Sequence, residues 1–316
     1  MDFTEYFYTI VKQIPSGRVS TYGALARALG DIRASRAVGR MLNRNPYAPV
    51  VPCHRVVMGD GSLGGFGTGV PEKIRRLAKE GVYVSDNKVV DFKDIFFDDF
   101  LSDNPLGEMR EEQKRLKRKV VLKDSFSEIE TVAGLDVAYN TKGFGACTVF
   151  DYGKMKVIKE ITLSSEVDIP YIPTYLAFRE LPVIERMWKK IQKKPDVLLI
   201  DGNGVLHPLG LGIASHVGVK LNIPTIGVAK SLLCGQLKKE NLEAGKHSEV
   251  EHEGKVIGYA LRSSPKAKKL IYISPGHKVS FDTALEIVER SCRYKIPEPI
   301  RAAHRMANEA RDAARM

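Results

Sequence analysis

Two groups of residues in this chain could do chemistry. The first is Cys53-His54-Arg55, set behind Pro52 and the apolar pair Val50-Val51. The thiolate, not the thiol, is the nucleophilic form of cysteine, and a free thiol with a pKa near ~8.5 is mostly protonated at neutral pH. A neighbouring histidine can take the proton, and a guanidinium can favour the anion. A small buried cysteine with incidental polar neighbours would present the same residues. The second group is a set of carboxylates. Asp136 lies inside the apolar run Ala133–Tyr139, Asp201 follows Val197–Ile200, and Glu180 closes the segment Pro170–Glu180. A carboxylate in or just beyond an apolar strand is costly unless it is paired or meets a cation. Three such groups from separate elements could hold Mg²⁺, whose ligands are hard oxygens. Each alone also fits a helix cap or a turn, Asp201 before Gly202 above all.

The elements that must position these residues follow from periodicity and punctuation. Phe3, Phe7, Ile10, Val11 and Ile14 recur at helical spacing, and Pro15-Ser16-Gly17 ends that helix. Ser20 or Thr21 caps a second short helix carrying Leu25 and Leu29. Ser35 caps a third, with Ala37, Val38, Met41 and Leu42 as the buried stripe and Arg36, Arg40, Asn43 and Arg44 on the other face. Two short helices, the second with a basic outer face, describe a helix-turn-helix. A glycine-rich stretch, Gly59 to Gly69, precedes a helix with Pro71 in its first turn and Gly81 as its stop. Beyond a charged helix at Glu108–Lys119, three strands are expected at Val132–Tyr139, Ala146–Tyr152 and Val157–Leu163. A long helix (Ala177–Lys193), a buried strand (Val197–Ile200), a helix (Leu211–Leu221), another buried strand (Thr225–Val228), a hairpin (Val256–Leu261 with Leu270–Ser274) and two C-terminal helices follow. Strands followed by alternating helix and strand predict a mixed sheet with helices on its faces.

The 316 residues suit two domains. Apolar usage of 43% and charged usage of 28% exclude a disordered or fibrous chain. No apolar run reaches the ~18 residues of a membrane span. The acidic start Met1-Asp2-Phe3-Thr4-Glu5 is unlike a secretion signal. The four cysteines form no CxxC pair, which supports neither a disulfide framework nor a zinc finger and suggests reduced, intracellular thiols. The net charge of +11 divides into +6 over residues 1–85, −4 over 86–103 and +9 over 104–316. Two basic segments around an acidic one suggest two domains that each meet a polyanion, joined by a solvated connector ending at Asn104-Pro105.

Longer motifs sharpen both sites. Ile14-Pro15-Ser16-Gly17-Arg18-Val19-Ser20-Thr21-Tyr22-Gly23, Ser35-Arg36-Ala37-Val38-Gly39, Asn43-Arg44-Asn45-Pro46 and Pro52-Cys53-His54-Arg55-Val56 occur in that order. Together they closely resemble the DNA-binding and active-site domain of O6-alkylguanine-DNA alkyltransferases. The resemblance implies that Cys53 accepts the alkyl group in one in-line displacement and is not regenerated. It makes His54 the base through a water, held by Glu80, with Asn45 bracing the turn before Cys53. Tyr22 would protonate the leaving guanine and crowd the target phosphate. Arg36 would fill the gap left by the flipped nucleotide, since O6 is out of reach of a buried thiol until the base is extruded. The loop Gly65-Phe66-Gly67-Thr68 departs from the tyrosine and serine that relatives often carry there.

The segments around Asp136, Tyr171–Glu180 and Asp201–His207, with Pro224–Lys230 and Ser274-Pro275-Gly276-His277, resemble endonuclease V from about Glu111 onward. That family has an RNase H-like fold. The resemblance implies Mg²⁺-dependent nicking, with Mn²⁺ as an alternative, at the second phosphodiester bond 3′ to deoxyinosine. Asp136, Glu180 and Asp201 would hold the metal, His277 would serve as a second-site ligand or proton carrier, and Lys230 would steady the scissile phosphate. Tyr171, Ile172 and Pro173 would wedge beside the flipped base, and Gly202, Gly204 and His207 would shape its pocket. Leu209 stands where many relatives have arginine. His216, His247, His252 and His304 are expected to be packing or surface residues, and Lys266–Lys269 a solvated loop.

The expected fold is α/β overall. A mainly helical, winged helix-turn-helix-like alkyltransferase domain spans 1–90, an acidic linker 91–105, and an RNase H-like domain with a mixed central sheet 106–316. The expected function is DNA repair in the cytoplasm, at the nucleoid, on single- or double-stranded DNA carrying O6-alkylguanine or deoxyinosine, with no membrane partner. The competing readings are a first domain that only binds alkylated DNA and a second that cuts inosine-containing RNA.

Overall fold

The computed structural model describes residues 2–239 and 241–314. The chain forms two compact units, Met1–Glu111 with Asp168–Tyr175, and Glu112–Val167 with Leu176–Met316.

In the first unit α1 (Phe3–Val11) buries Phe3, Phe7, Ile10 and Val11, and the Asp2 carboxylate caps it by accepting from the Thr4 N–H at 2.8 Å. Strand β1 (Ser20–Thr21) leads into α2 (Tyr22–Ala28), which Thr21 caps by accepting from the Ala24 N–H. Helix α3 (Ser35–Asn43) buries Ala37, Val38, Met41 and Leu42 and exposes Arg36, Arg40, Asn43 and Arg44, the division expected of a recognition helix. Ser35 is its first residue rather than its cap, and its hydroxyl donates back to the Ile32 carbonyl. Strand β2 (Val56–Val57) pairs in parallel with β1, α4 (Val70–Lys79) follows, and β3 (Val84–Ser85) and β4 (Lys88–Val89) make a small hairpin.

The acidic stretch expected as a solvated linker is built into this unit. The Val19 N–H bonds to the Ile95 carbonyl at 3.0 Å, and the Phe97 N–H bonds to that of Val19 at 2.8 Å. Phe92 and Ile95 pack on the cluster of Val19, Val57, Leu63 and Leu77. Phe92, Ile95, Phe96, Phe97 and Phe100 are partly buried, while Asp91, Asp94, Asp98 and Asp99 stay exposed, so the segment packs through its apolar residues and keeps its charges wet. Asp31 anchors a further polar cluster. It accepts from Arg33, from Arg110 at 2.9 Å and from the Tyr175 hydroxyl at 2.8 Å.

The division between the units falls within α5 (Pro105–Lys117). The second unit is a nine-stranded mixed sheet. Its strands are β5 (Thr131–Tyr139), β6 (Gly143–Asp151), β7 (Lys156–Ser165), β8 (Val197–Asp201), β9 (Thr225–Ala229), β10 (Gln236–Leu237), β11 (His247–His252), β12 (Lys255–Leu261) and β13 (Ile271–His277). Their order is β10-β11-β12-β13-β9-β8-β5-β6-β7. The central β5, β8 and β9 run parallel and their other neighbours antiparallel. Helices α6 (Leu176–Lys190), α7 (Ile213–Leu221), α8 (Phe281–Ser291) and α9 (Glu298–Ala313) complete the unit. Alternation along β5 sends Ala133, Leu135 and Val137 into one apolar cluster with Leu181, Ile184 and Met187 of α6, and Val132 into another with Leu285, Val288 and Ile300. Helix α9 lies close on the sheet because small residues line the contact. Ala303 and Ala307 pack on Ala138 and Ala146, and a Cβ added at Gly134 would lie 2.0 Å from the Pro299 carbonyl carbon.

Candidate active sites

In the first unit Cys53 opens a 3₁₀ turn, Cys53–Arg55, that leads directly into β2. The thiol is buried, and the Asn45 amide donates to its Sγ at 3.3 Å and to the Val51 carbonyl at 2.9 Å. Asn45 therefore holds both the sulfur and the irregular segment before it. His54 Nε2 lies 2.9 Å from a Glu80 oxygen. Arg55 grips the same carboxylate from Nε at 2.7 Å and from Nη2 at 2.8 Å. Burial alone would raise the Glu80 carboxyl, but the hydrogen bonds from Arg55 and His54 outweigh it and hold the carboxyl below its ordinary range. Burial lowers His54, so the imidazole is neutral at pH 7. With Nε2 donating to Glu80, Nδ1 keeps a lone pair and has no partner among the described residues. Tyr22 is half-buried, and burial with the neighbouring Cys53 raises its phenol. A cleft of about 670 Å³ is lined by Tyr22, Arg36, Arg40, Cys53 and Phe66 among others. Cys53, His54, Asn45, Glu80, Tyr22 and Arg36 thus meet around one turn and one cleft.

In the second unit the parallel register pairs Leu135 with Ile200, which sets Asp136, inside β5, level with Asp201, the last residue of the adjacent β8. Ligand atoms of Asp136, Asp201 and His304 lie within 4.8 Å of one another. His304 Nδ1 sits 2.6 Å from Asp136 Oδ2, and Lys230 Nζ 2.5 Å from Asp201 Oδ2. Glu180, on α6, is buried and outside that trio, yet burial first and then Asp136 and Asp201 push its carboxyl up to about 8. Burial also raises Asp201 against the lowering effect of Lys230. Crowded carboxylates with one imidazole are a donor set a divalent cation relaxes, and oxygen-rich ligation suits Mg²⁺ or Mn²⁺.

His277 is not part of this cluster. It pairs with Thr225 at the start of β9, whereas Asp201 pairs with Val228 near its end, about 10 Å further along at ~3.3 Å per residue. Its Nδ1 accepts from the Val121 N–H. His304, expected to be a packing or surface residue, is exposed and also meets Asp136. Its one sequence signal is the Ala303/Ala307 pair, which marks a helix face able to approach a sheet closely. The glycines of the loop after Asp201 sit where the chain packs closely. A Cβ at Gly202 would meet Ile213 at 2.4 Å, and one at Gly204 the Pro275 carbonyl at 2.2 Å. His207 is buried, and its Nδ1 accepts from the Leu209 N–H. In the segment grouped with the first unit, Tyr171 is half exposed, Ile172 is buried and Pro173 is intermediate.

Comparison with known proteins follows this division except at residues 168–175, which the first unit includes and the endonuclease V match covers. The family model for endonuclease V matches residues 114–305, and that for the 6-O-methylguanine DNA methyltransferase DNA-binding domain matches 2–82. A "Bifunctional methyltransferase/endonuclease" of Picrophilus torridus is 36% identical over 305 residues, 96% of this chain and 95% of the relative. The chain belongs to the bifunctional methyltransferase/endonuclease family. As a member it is a DNA-binding repair protein with a methyltransferase and an endonuclease activity. Among solved structures, the catalytic domain of human endonuclease V matches 68% of this chain and 98% of its own, at 32% identity and TM-score 0.63. Endonuclease V of Ciona intestinalis, solved with a DNA containing an inosine followed by a ribo-adenosine, matches 67% of this chain and all of its own, at 30% identity and TM-score 0.61. For this bifunctional family member, the second unit therefore carries the endonuclease V fold and the first the methyltransferase turn.

Proposed function

We propose that the first unit takes alkyl groups from O6-alkylguanine in DNA onto Cys53. The observation that carries this reading is the buried Cys53 Sγ held by Asn45 beside a neutral His54 whose Nε2 is fixed on Glu80. His54 accepts the thiol proton through water at Nδ1, and the Asn45 N–H steadies charge on sulfur. The S–C bond forms as the O6–C bond breaks, and the proton lost from the thiol is balanced by one delivered to guanine, through the Tyr22 phenol. Arg36 occupies the space the flipped nucleotide leaves in the stack. The thioether is stable, so each chain acts once.

The second unit, in the same proposal, nicks DNA at the second phosphodiester bond 3′ to deoxyinosine. The Asp136–Asp201–His304 cluster supports it. These residues, with Glu180, would hold Mg²⁺ or Mn²⁺. A bound ion there supplies an activated water and neutralises phosphate charge. Lys230 leaves Asp201 to pair with the scissile phosphate, and Tyr171 with Ile172 and Pro173 takes the place of the flipped base. Both reactions serve nucleoid DNA in the cytoplasm.

The test uses the full chain and two labelled duplexes, one with O6-methylguanine and one with deoxyinosine, each with and without Mg²⁺. Expected are one methyl per chain on Cys53 regardless of metal, absent in Cys53→Ala, and nicking only with metal. Methyl removal beyond one equivalent of protein would overturn the acceptor mechanism, and metal-independent nicking the proposed metal site.

A further inference from the structure

Lys73 is a fully buried lysine in the first unit, at 0% exposure. Its ammonium donates to the carbonyls of Val56, at 2.6 Å on the strand leaving Cys53, and of Leu63, at the edge of the glycine-rich loop. Among the described residues no carboxylate pairs with it. A buried ammonium is costly unless an anion compensates it, and two neutral carbonyls do not.

The charges around Cys53 show what could. On the turn, Arg55 and the neutral His54 are committed to Glu80. On α4, Arg76 is paired with Glu72. On α1 and α2, burial pushes the Tyr8 phenol up to about 12 and raises that of Tyr22, so both are neutral between pH 6 and 9. Arg55 and Glu80 cancel. Arg36, Arg40 and Arg44 line the cleft with Cys53 but are exposed to solvent, which leaves Lys73 as the buried cation beside this turn with no carboxylate paired to it among the described residues.

We propose that Lys73 is the electrostatic partner of the Cys53 thiolate. Burial lowers the Lys73 ammonium to about 8 while Cys53 opposes that shift, so the two groups act on each other and the lysine is largely charged at pH 7. Lys73 acts through Cys53 and touches no substrate, which makes it a positioning residue. It favours the thiolate before transfer and is left without an anion once the sulfur becomes a thioether. The inference rests on Cys53 being the alkyl acceptor.

The test needs no DNA. Iodoacetamide alkylates Cys53 by displacement of iodide, and its rate follows the thiolate population. Peptide mass spectrometry of the full chain would follow this modification from pH 6 to 9 in the parent, in Lys73→Gln, which keeps a donor for the carbonyls without the charge, and in Lys73→Met. Far-ultraviolet circular dichroism would check that each is folded. Both variants are expected to react about tenfold more slowly at pH 7, with rates converging on the parent toward pH 9. If folded Lys73→Gln follows the parental pH profile, the inference is wrong and the lysine only braces the loop. If Lys73→Met unfolds, Lys73→Gln alone decides. Methyl transfer by the parent, measured beside it, separates the two ideas. A parent that never accepts methyl refutes the acceptor reading, whereas a parent that does, with an unaltered Lys73→Gln profile, refutes only the role of Lys73.

Discussion

His304 Nδ1 lies 2.6 Å from Asp136 Oδ2, a contact that joins the C-terminal helix α9 to the first strand of the sheet across 168 residues of sequence. In the proposed metal site the imidazole would extend the donor set and orient the Asp136 carboxylate. His304→Ala should lower nicking by about 10–100-fold, the usual cost of removing such a partner, and weaken metal affinity in parallel. Nicking rates titrated against Mg²⁺ and Mn²⁺ check this, and unchanged metal dependence would refute the assignment.

The carboxylates should matter through charge more than shape. Asp136→Asn, Asp201→Asn and Glu180→Gln are near-isosteric and should each abolish nicking. Binding to deoxyinosine DNA should survive or tighten, because a neutral amide no longer repels phosphate. Gel-shift and nicking assays on the same preparations distinguish lost chemistry from lost binding. Near-parental nicking by Asp136→Asn would place the metal elsewhere.

Gly134 lets α9 reach the sheet, and its added Cβ would fall 2.0 Å from the Pro299 carbonyl carbon. Gly134→Ala should displace the start of α9, withdraw His304 from Asp136 and cost about 1–3 kcal/mol by overpacking. Urea unfolding should show the loss of stability, and nicking should fall further than in His304→Ala alone. Methyl transfer, carried by the other unit, should persist.

Asp31 gives a pH dependence with a defined sign. Burial would raise its carboxyl, but hydrogen bonds from Arg33, Tyr175 and Arg110 outweigh burial and depress it well below the ordinary range. An unfolded aspartate titrates near ~3.9, so the stability Asp31 contributes is present above that pH and fades as pH falls toward the folded value. Asp31→Asn should cost about 1–3 kcal/mol at pH 7, because it leaves buried donors poorly matched. The gap from the parent should narrow below about pH 4. Denaturant melts at pH 7, 5, 4 and 3 check it, and a gap independent of pH would rule out the charged form as the source.

What could be read without the fold is local. Helix faces, the Thr21 cap and the run Pro52-Cys53-His54-Arg55 declare themselves, because a few consecutive residues set both their geometry and their chemistry. Asp136 and Asp201 also stand out, since a carboxylate bordering an apolar strand is conspicuous wherever its partner lies. Their meeting depends on the parallel register of β5 against β8, which no single segment encodes. The meeting of His304 with Asp136 likewise exists only in three dimensions. The strand bearing His277 is antiparallel to β9 and carries the imidazole to the far end of the sheet, while Gly134, Ala138, Ala303 and Ala307 let α9 settle where His304 meets Asp136. The acidic stretch after Val90 looked like a connector because its charges are local, but the backbone bonds of Ile95 and Phe97 to Val19 join residues more than seventy positions apart. Lys73 carries no sequence signal of its own. Burial is a property of everything packed around a side chain, so only the assembled unit reveals, among the described residues, a buried cation with no carboxylate paired to it.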